Sequence, residues 1–316
     1  MPRLLIGCTL EASEGLSVLQ WTSGIGGSMI DLHTHSTASD GSFTPAALVD
    51  LAAEKGLTAI ALTDHDTVAG LPEAQACGSE KGVEVIPGVE IAVRWDGGGA
   101  MHLLGYYIRP DDAGLAERLE GLRIQRRYRA QRMVALLNEL GVGISFSRVE
   151  QMATGESIGR PHVARALLEA GAVANPGEAF QRYLSRGRPA YVQRELPSPR
   201  EGIAWLQSAG GVAVLAHPST LRLGRKELER CVEELKAHGL DGIEVFWSGH
   251  NRGQQETYRD LARRLGLLVT GGSDFHGAAK PDIELGRGLR GNVQVPDSYL
   301  TALRVHYDAR RTGEGN

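Results

Sequence analysis

The stretch Met29-Ile-Asp-Leu-His-Thr-His35 begins as a short apolar strand and stops at two imidazoles. An extended chain points alternate side chains to the same side, so His33 and His35 are expected to reach one point. The same construction recurs. Thr58-Ala-Ile-Ala-Leu62 runs into Thr63-Asp64-His65-Asp66, Val83-Glu-Val-Ile86 into Pro87-Gly-Val-Glu90, and Gly211-Val-Ala-Val-Leu215 into Ala216-His217-Pro218. Gly242-Ile-Glu-Val-Phe246 leads to Trp247 and His250, and Leu267-Leu-Val269 to Gly272-Ser-Asp-Phe-His276. His102 instead opens its run, His102-Leu-Leu-Gly-Tyr-Tyr-Ile108. Continuous apolar runs of this length suit strands buried on both faces, as in parallel sheets covered by helices. Helical stretches at 45–55 and 226–237 lie between some of them, and alternating β and α predicts an α/β fold. Seven such strands with polar residues at their ends predict a barrel whose site gathers at one face.

The middle of the chain reads differently. Leu115, Leu119, Leu122, Met133, Leu136 and Leu140 follow the spacing of one helix face, with Arg126 and Arg129 in the two missing places. Pro161 and Asn175-Pro-Gly177 mark further breaks. The expected organisation is a barrel in two parts, 29–114 and 191–292, around an inserted helical subdomain at 115–190, with a C-terminal tail at 293–316. Residues 119–190 hold eleven Arg and no Lys against six Glu and no Asp, a local balance of +5 in a chain whose net charge is −4. No global basicity advertises nucleic acid, so a polyanion contact must be local, and Arg is the residue for two-pronged phosphate contact.

Residues 1–28 end in the Gly-rich Ser23-Gly-Ile-Gly-Gly-Ser28 and look unlike the rest; they read as a dispensable extension or the product of an upstream start codon. The Gly-rich piece lacks the context of a nucleotide loop, and the apolar start lacks the cleavage site of a secretory signal. No stretch approaches the roughly 18 apolar residues of a membrane span. Cys8, Cys77 and Cys231 are odd in number and far apart, fitting neither a disulfide framework nor a paired-cysteine metal site, and a reducing cytoplasm is the simplest compartment.

Singly, each polar motif has an ordinary reading: a half-buried His, a capping Asp, a Glu in a salt bridge. Jointly, His33, His35, His65, His102, His217 and His276 with Glu90, Asp274 and the turn residue Asp40 point to a metal site at one barrel face. The ligands are N and O without thiolate, which suits Mn, Fe or Zn.

Asp-Leu-His-Thr-His, Thr-Asp-His-Asp, Pro-Gly-Val-Glu, Ala-His-Pro and Ser-Asp-Phe-His stand in the motif order of the PHP (polymerase and histidinol phosphatase) superfamily, which the chain resembles from Met29 to about Arg290. Gly159-Arg-Pro-His-Val-Ala-Arg165 and Tyr183-Leu-Ser-Arg-Gly-Arg-Pro-Ala-Tyr-Val192 resemble the inserted-domain motifs of its 3′,5′-nucleotide bisphosphate phosphatase and 5′-to-3′ exoribonuclease branch. The resemblance implies a distorted (β/α)7 TIM-like barrel and three divalent metals, manganese foremost. It implies His33, His35, Glu90 and Asp274 on one ion, Glu90 bridging to a second held by His102 and His217, and Asp40, His65 and His276 on a third.

Such ions clamp the attacking and leaving oxygens at phosphorus and lower the pKa of water to about 7, so a metal-bridging hydroxide serves as nucleophile and no Ser or Cys is needed. Asp64 and Asp66 flank His65, and one of them is expected to orient imidazoles, with a turn carboxylate the competing reading. Arg160 and His162 at the start of a helix, Arg188 where the insertion returns, and His250 after the sixth strand are candidates for phosphate contact, His250 also for protonating the leaving oxygen. Trp247 could stack a base or simply pack.

The joined reading is a phosphoesterase acting on the 3′ phosphoester of a 5′-phosphorylated nucleotide or short RNA, with no membrane and no obligate protein partner. A histidinol-phosphate phosphatase leaves the Arg-rich insertion unexplained. A non-catalytic nucleic-acid-binding protein with a structural metal need not keep all nine ligands.

Overall fold

The computed structural model describes residues 29–97, 100–153 and 155–313; the extension read at 1–28, with Cys8, lies outside the described residues. Seven strands follow the seven apolar runs: β1 (Met29–Thr34), β2 (Leu57–Leu62), β3 (Glu84–Val93), β4 (Met101–Tyr106), β5 (Val212–Leu215), β6 (Gly242–Trp247) and β7 (Leu268–Gly272). A two-residue hairpin, β8 (Ile283–Glu284) with β9 (Gly288–Leu289), follows, and then β10 (Val295–Pro296). The main sheet has eight strands in the order β10-β1-β2-β3-β4-β5-β6-β7. Its far sides meet where β1 and β7 come together: the Asp274 N–H donates to His33 O at 2.8 Å and the His35 N–H to Phe275 O at 3.0 Å. The approach is close enough to require Gly272, since a Cβ there would lie 2.3 Å from the His33 backbone nitrogen. Asp31 fastens the same seam, accepting from the Ser273 and Gly286 backbone N–H groups at 2.8 and 2.7 Å. The fold is thus a nearly closed TIM-like α/β barrel.

Besides the short edge strand β10, which pairs antiparallel with β1, one of the seven long strands departs from the all-parallel expectation. β4 runs antiparallel to both β3 and β5. The seven residues between β3 and β4 are too few for a crossover helix, so the chain turns back on itself. The reversal explains why His102 sits at the start of its strand: that start lies where the parallel strands end. β3 is also longer than its first apolar run. It pairs with β2 as far as Pro87 and with β4 from Gly88 onward, so Glu90 lies inside the strand.

Helices α1 (Pro45–Glu54), α2 (Leu71–Lys81), α7 (Pro199–Ser208), α8 (Arg225–Ala237) and α9 (Arg252–Leu265) cover the outside. Sequence sets their starts. Thr44 caps α1 ahead of Pro45, and Ser198 with Glu201 closes a reciprocal cap on α7. Outward residues such as Ile203, Leu206, Val232 and Leu261 pack on the outward faces of the strands, among them Leu215, Ile243 and Val245. Inward residues Ile30, Leu32, Ala59, Ala61, Leu104, Val212 and Val214 fill the barrel. Helix α10 (Asp297–Thr312) packs into this inner cluster through Tyr299, Leu300 and Leu303. Residues beyond 292, which the βα rhythm does not cover, therefore add both an edge strand and a helix to the barrel.

Helix α3 (Ala113–Glu139) is 27 residues long, about 40 Å at 1.5 Å per residue. Its first half buries Leu115, Leu119 and Leu122 against the barrel. Its second half buries Ala130, Met133, Val134 and Leu137 in a separate cluster with α4 (Phe146–Met152), α5 (Arg160–Glu169), the short α6 (Pro176–Ala179) and the π-turn Phe180–Leu184. The stripe expected through Leu136 and Leu140 shifts by one position, because 3.6 residues per turn drifts against a strict 4,3 count; Leu136 is only half-buried and Leu140 is exposed.

Candidate metal centre

Glu90 stands at the middle of five imidazoles. Its Oε1 lies 2.6 Å from His102 Nδ1 and 3.0 Å from His217 Nε2. Its Oε2 lies 3.2 Å from His33 Nε2, 3.3 Å from His35 Nε2 and 3.2 Å from His65 Nδ1. The two oxygens of one buried carboxylate thus face two separate sets of nitrogens. Burial alone would raise the Glu90 pKa; the imidazoles, His65 and His102 first, hold it well below the usual carboxylate range.

Asp274 Oδ1 lies 3.3 Å from both His35 Nε2 and His276 Nδ1, and 3.7 Å from His33 Nε2. Asp40 Oδ1 is 3.3 Å from His276 Nε2 and its Oδ2 is 4.0 Å from His65 Nε2. All nine residues singled out in the sequence come together. Seven of them form contiguous groups, His35 with Asp40, His65 and His276, then His33 with His35 and Glu90, then His65 with Glu90 and His102, whose ligand atoms lie within 4.8 Å of one another, while His217 adjoins Glu90 and Asp274 adjoins His35. Asp66, His217 and Asp274 all have left-handed backbones, with φ of 56°, 27° and 57°. Such strain in non-glycine residues costs free energy and collects at functional sites.

These residues fit divalent cations. Neither ring nitrogen of His35 has a hydrogen-bond partner, nor has His65 Nδ1. His35 Nε2 and His65 Nδ1 stand 3.2–3.3 Å from carboxylate oxygens yet are not aligned as donors to them. Bare buried nitrogens grouped with carboxylates in this way suit ligands sharing an ion. No thiolate is present, so the set suits Mn, Fe or Zn.

Further side chains hold the nine in place, and one of the most important carries no motif of its own. Glu244, fully buried in β6, accepts from His33 Nδ1 at 2.8 Å and from the His217 backbone N–H at 2.7 Å. Lone acidity in an otherwise apolar strand was its only sequence signal. Asp31 accepts the His33 N–H as well as closing the seam. Trp247 Nε1 donates to Asp274 Oδ2 at 3.1 Å, and Lys280 Nζ lies 2.7 Å from the same oxygen. Trp247 thereby orients a candidate ligand.

The carboxylates beside His65 act elsewhere. Asp64 accepts from the Ser36 N–H and hydroxyl at 2.8 and 2.6 Å and from the Ser39 hydroxyl, fixing the turn that carries Asp40. Asp66 Oδ2 accepts from Arg126 Nε at 2.5 Å and from Arg194 Nη1 at 3.1 Å. Among the described residues neither accepts a hydrogen bond from an imidazole.

A basic cleft opens beside His102. It is lined by Arg94, Arg129, Arg160, Arg186 and Arg194 with Trp95 and Tyr191, and, among the described residues, by no carboxylate. Arg160 stacks over Phe180 at 5.5 Å. Burial, with Arg160 and Arg194 nearby, pushes the Arg129 pKa well below its usual value, and burial with Arg126 brings Arg194 down to about 10. Anions relieve such crowded cations. Arg188 is exposed and lines neither this cleft nor the smaller cavity at Arg129; Arg186, two residues earlier, does the lining. His162 is buried and caps α5, its Nδ1 accepting the Gly159 N–H at 2.9 Å. His250 donates Nδ1–H to Val245 O at 2.8 Å, leaving Nε2 buried and without a partner. Burial pushes its pKa down to about 4, which favours the neutral ring with its proton on Nδ1 and an acceptor at Nε2.

The family model for the PHP domain matches residues 31–170. The 3′,5′-nucleoside bisphosphate phosphatase of Chromobacterium violaceum is 37% identical over 258 residues, covering 81% of this chain and 90% of its own. A 5′-3′ exoribonuclease of Haemophilus influenzae is 36% identical over 259 residues, covering 82% and 93%. A Bifidobacterium adolescentis structure described as that of a metal-dependent phosphoesterase superposes with a TM-score of 0.79 at 33% identity, over 88% of this chain and 96% of that one. With that fold and this cluster of imidazoles and carboxylates, the chain belongs to the PHP domain family and is a metal-dependent phosphoesterase, a hydrolase of phosphoester bonds.

Proposed function

We propose that the enzyme hydrolyses the 3′ phosphoester of 5′-phosphorylated nucleotides. It releases phosphate from a 3′,5′-bisphosphonucleoside and, from short RNA, nucleotides stepwise from the 5′ end. The observation that carries this reading is the cleft at His102, with five guanidinium groups and, among the described residues, no lining carboxylate. A single small monoester does not need so many cations. The names of the Chromobacterium and Haemophilus relatives support the same two reactions.

The nine residues would hold three divalent cations, Mn²⁺ first and Fe or Zn as alternatives. His33, His35, Glu90 and Asp274 would take one, Glu90 with His102 and His217 a second, and Asp40, His65 and His276 a third. Such cations, when bound, polarise the phosphoryl oxygens and lower the pKa of water. The chain's own residues do the rest. Glu244 keeps the proton of His33 on Nδ1, so that Nε2 faces the centre bare. Asp64 fixes the turn behind Asp40, and Trp247 and Lys280 hold Asp274. The inserted segment 115–190 binds the substrate, with Arg160 as anchor for the 5′ phosphate and Arg129 and Arg186 along the cleft. No helix among the described residues is long and apolar enough to cross a membrane, and intracellular nucleotides as substrates place the enzyme in the cytoplasm under this reading.

The test is product analysis after chelation and addition of Mn²⁺, on adenosine 3′,5′-bisphosphate, histidinol phosphate, and short RNAs with 5′ phosphate or 5′ hydroxyl. Adenosine 5′-monophosphate and phosphate from the first, and a preference for the 5′-phosphorylated RNA, are expected. Turnover of histidinol phosphate alone would discard the reading.

A further inference from the structure

Arg126 occupies a place on α3 where the apolar stripe calls for a leucine. Its side chain is only 10% exposed. Nε donates to Asp66 Oδ2, and among the described residues neither Nη nitrogen has a hydrogen-bond partner. The guanidinium is thus fixed at one edge by Asp66 and, among the described residues, left without a protein partner at the other. The bare edge lies between two sites. On one side is the cavity lined by Arg126, Arg129, Gly159 and Arg160. On the other is the metal centre: a Cβ built on Gly159 would meet Asp40 Oδ2 at 3.4 Å and Arg126 Nη1 at 3.7 Å. Burial works against the charge of Arg126, and Asp66 first, then Asp40 and Glu90, keep it fully charged.

We infer that Arg126 is a catalytic residue whose free Nη groups contact the scissile phosphoryl oxygens, and that Asp66 is the positioning residue that aims it. Asp66 is suited to that task. It is the next residue after His65, it has a left-handed backbone, and its N–H is tied to Glu90 O at 3.0 Å, so its carboxylate is fixed to the same frame as the candidate ligands. Arg194 Nη1 on the same oxygen prevents the carboxylate from swinging away. A planar guanidinium supplies paired donors to phosphate oxygens and strengthens its hold as charge gathers there in the transition state. The assignment rests on the phosphoesterase reading and is independent of which nucleotide is the substrate. It separates the work of two arginines: Arg160 reads the 5′ phosphate, Arg126 the phosphate being cleaved.

The experiment compares wild type, Arg126→Gln and Asp66→Asn, each metal-loaded. The substrates are adenosine 3′,5′-bisphosphate, adenosine 3′-monophosphate and a small aryl phosphate. Metal content and calorimetric binding of inorganic phosphate are measured alongside. Arg126→Gln should lower kcat about ten- to a hundred-fold on all three substrates, weaken inorganic phosphate binding, and leave metal content unchanged. A kcat within about twofold of wild type on the aryl phosphate, or a loss confined to the 5′-phosphorylated substrate, would overturn the assignment. Should Arg126→Gln fail to fold, Asp66→Asn decides, since it leaves the guanidinium in place but unaimed. Its kcat should fall on all three substrates with metal content intact, and an unchanged kcat overturns the proposal. Wild type that hydrolyses the aryl phosphate but not the bisphosphate would sink the nucleotide reading and leave the test of Arg126 standing.

Discussion

Glu244 Oε1 lies 2.8 Å from His33 Nδ1 while its Oε2 accepts the His217 N–H at 2.7 Å, so one buried carboxylate ties two candidate ligands on opposite sides of Glu90. Glu244→Gln cannot satisfy both donors, because its amide nitrogen would face an N–H. Outer partners of metal-binding imidazoles are worth about 10- to 100-fold in metal affinity. The expected outcome is a folded protein with weakened metal retention by that factor, read as metal content after dialysis against graded chelator. Full retention would show that Glu244 only fills the barrel.

Glu90→Gln should cost more than any outer partner, because both oxygens of Glu90 face imidazoles. A neutral amide offers one acceptor oxygen and a donor nitrogen that points at a second set of nitrogens. Turnover should fall by more than the about 100-fold upper range of an outer-shell change, with fewer metals per chain. A near-normal rate with a full metal complement would sink the bridging assignment.

Arg160→Ala should discriminate between substrates. A charge-assisted contact to phosphate is worth about 1.5–3 kcal/mol, so kcat/KM on 5′-phosphorylated substrates should drop roughly ten- to a hundred-fold. On 5′-hydroxyl substrates the loss should be far smaller, and metal content should not change. Equal losses on both would remove Arg160 as the 5′ anchor.

His250 gives a pH signature in stability. Its pKa is pushed down to about 4 by burial, against about 6.5 in an unfolded chain. Between those values the unfolded state binds the extra proton, so the contribution of this residue is present above pH 6.5 and is lost as pH falls towards 4. The full loss is about 3 kcal/mol. His250→Asn, whose amide can still donate to Val245 O, should lose that much less stability than wild type between pH 7 and pH 4 in denaturant titrations. Parallel curves for the two proteins would contradict the low pKa.

The barrel was legible because its strands end so abruptly. Seven apolar runs, each with a polar residue able to bind metal at or near one end, gave all seven long strands, and His102 at the head of its run already marked the exception. The direction of β4 was not legible, because strand composition carries no sign; only the short link before Met101 enforces the reversal. The nine candidate ligands were visible as local motifs. Glu244 was not, since a barrel strand hides an inward acid among outward Ile243 and Val245. Asp66 was noticed for its neighbour His65, yet its partners Arg126 and Arg194 lie 60 and 128 residues away. Spacing along a chain reports helix faces and strand sides; it does not report which distant cation a carboxylate will meet.

A single unbroken rod runs from the barrel wall into the heart of the insertion, for α3 lends Leu115 and Leu119 to one core and Met133 and Leu137 to the other. Opening the cleft by swinging one body away from the other would require bending that rod, and the bend would fall between Leu122 and Ala130, where Arg126 is pinned to Asp66. Any such motion would therefore strain the pairing of Arg126 with Asp66, so the helix that joins the two cores also bears on the residue held beside the metal centre.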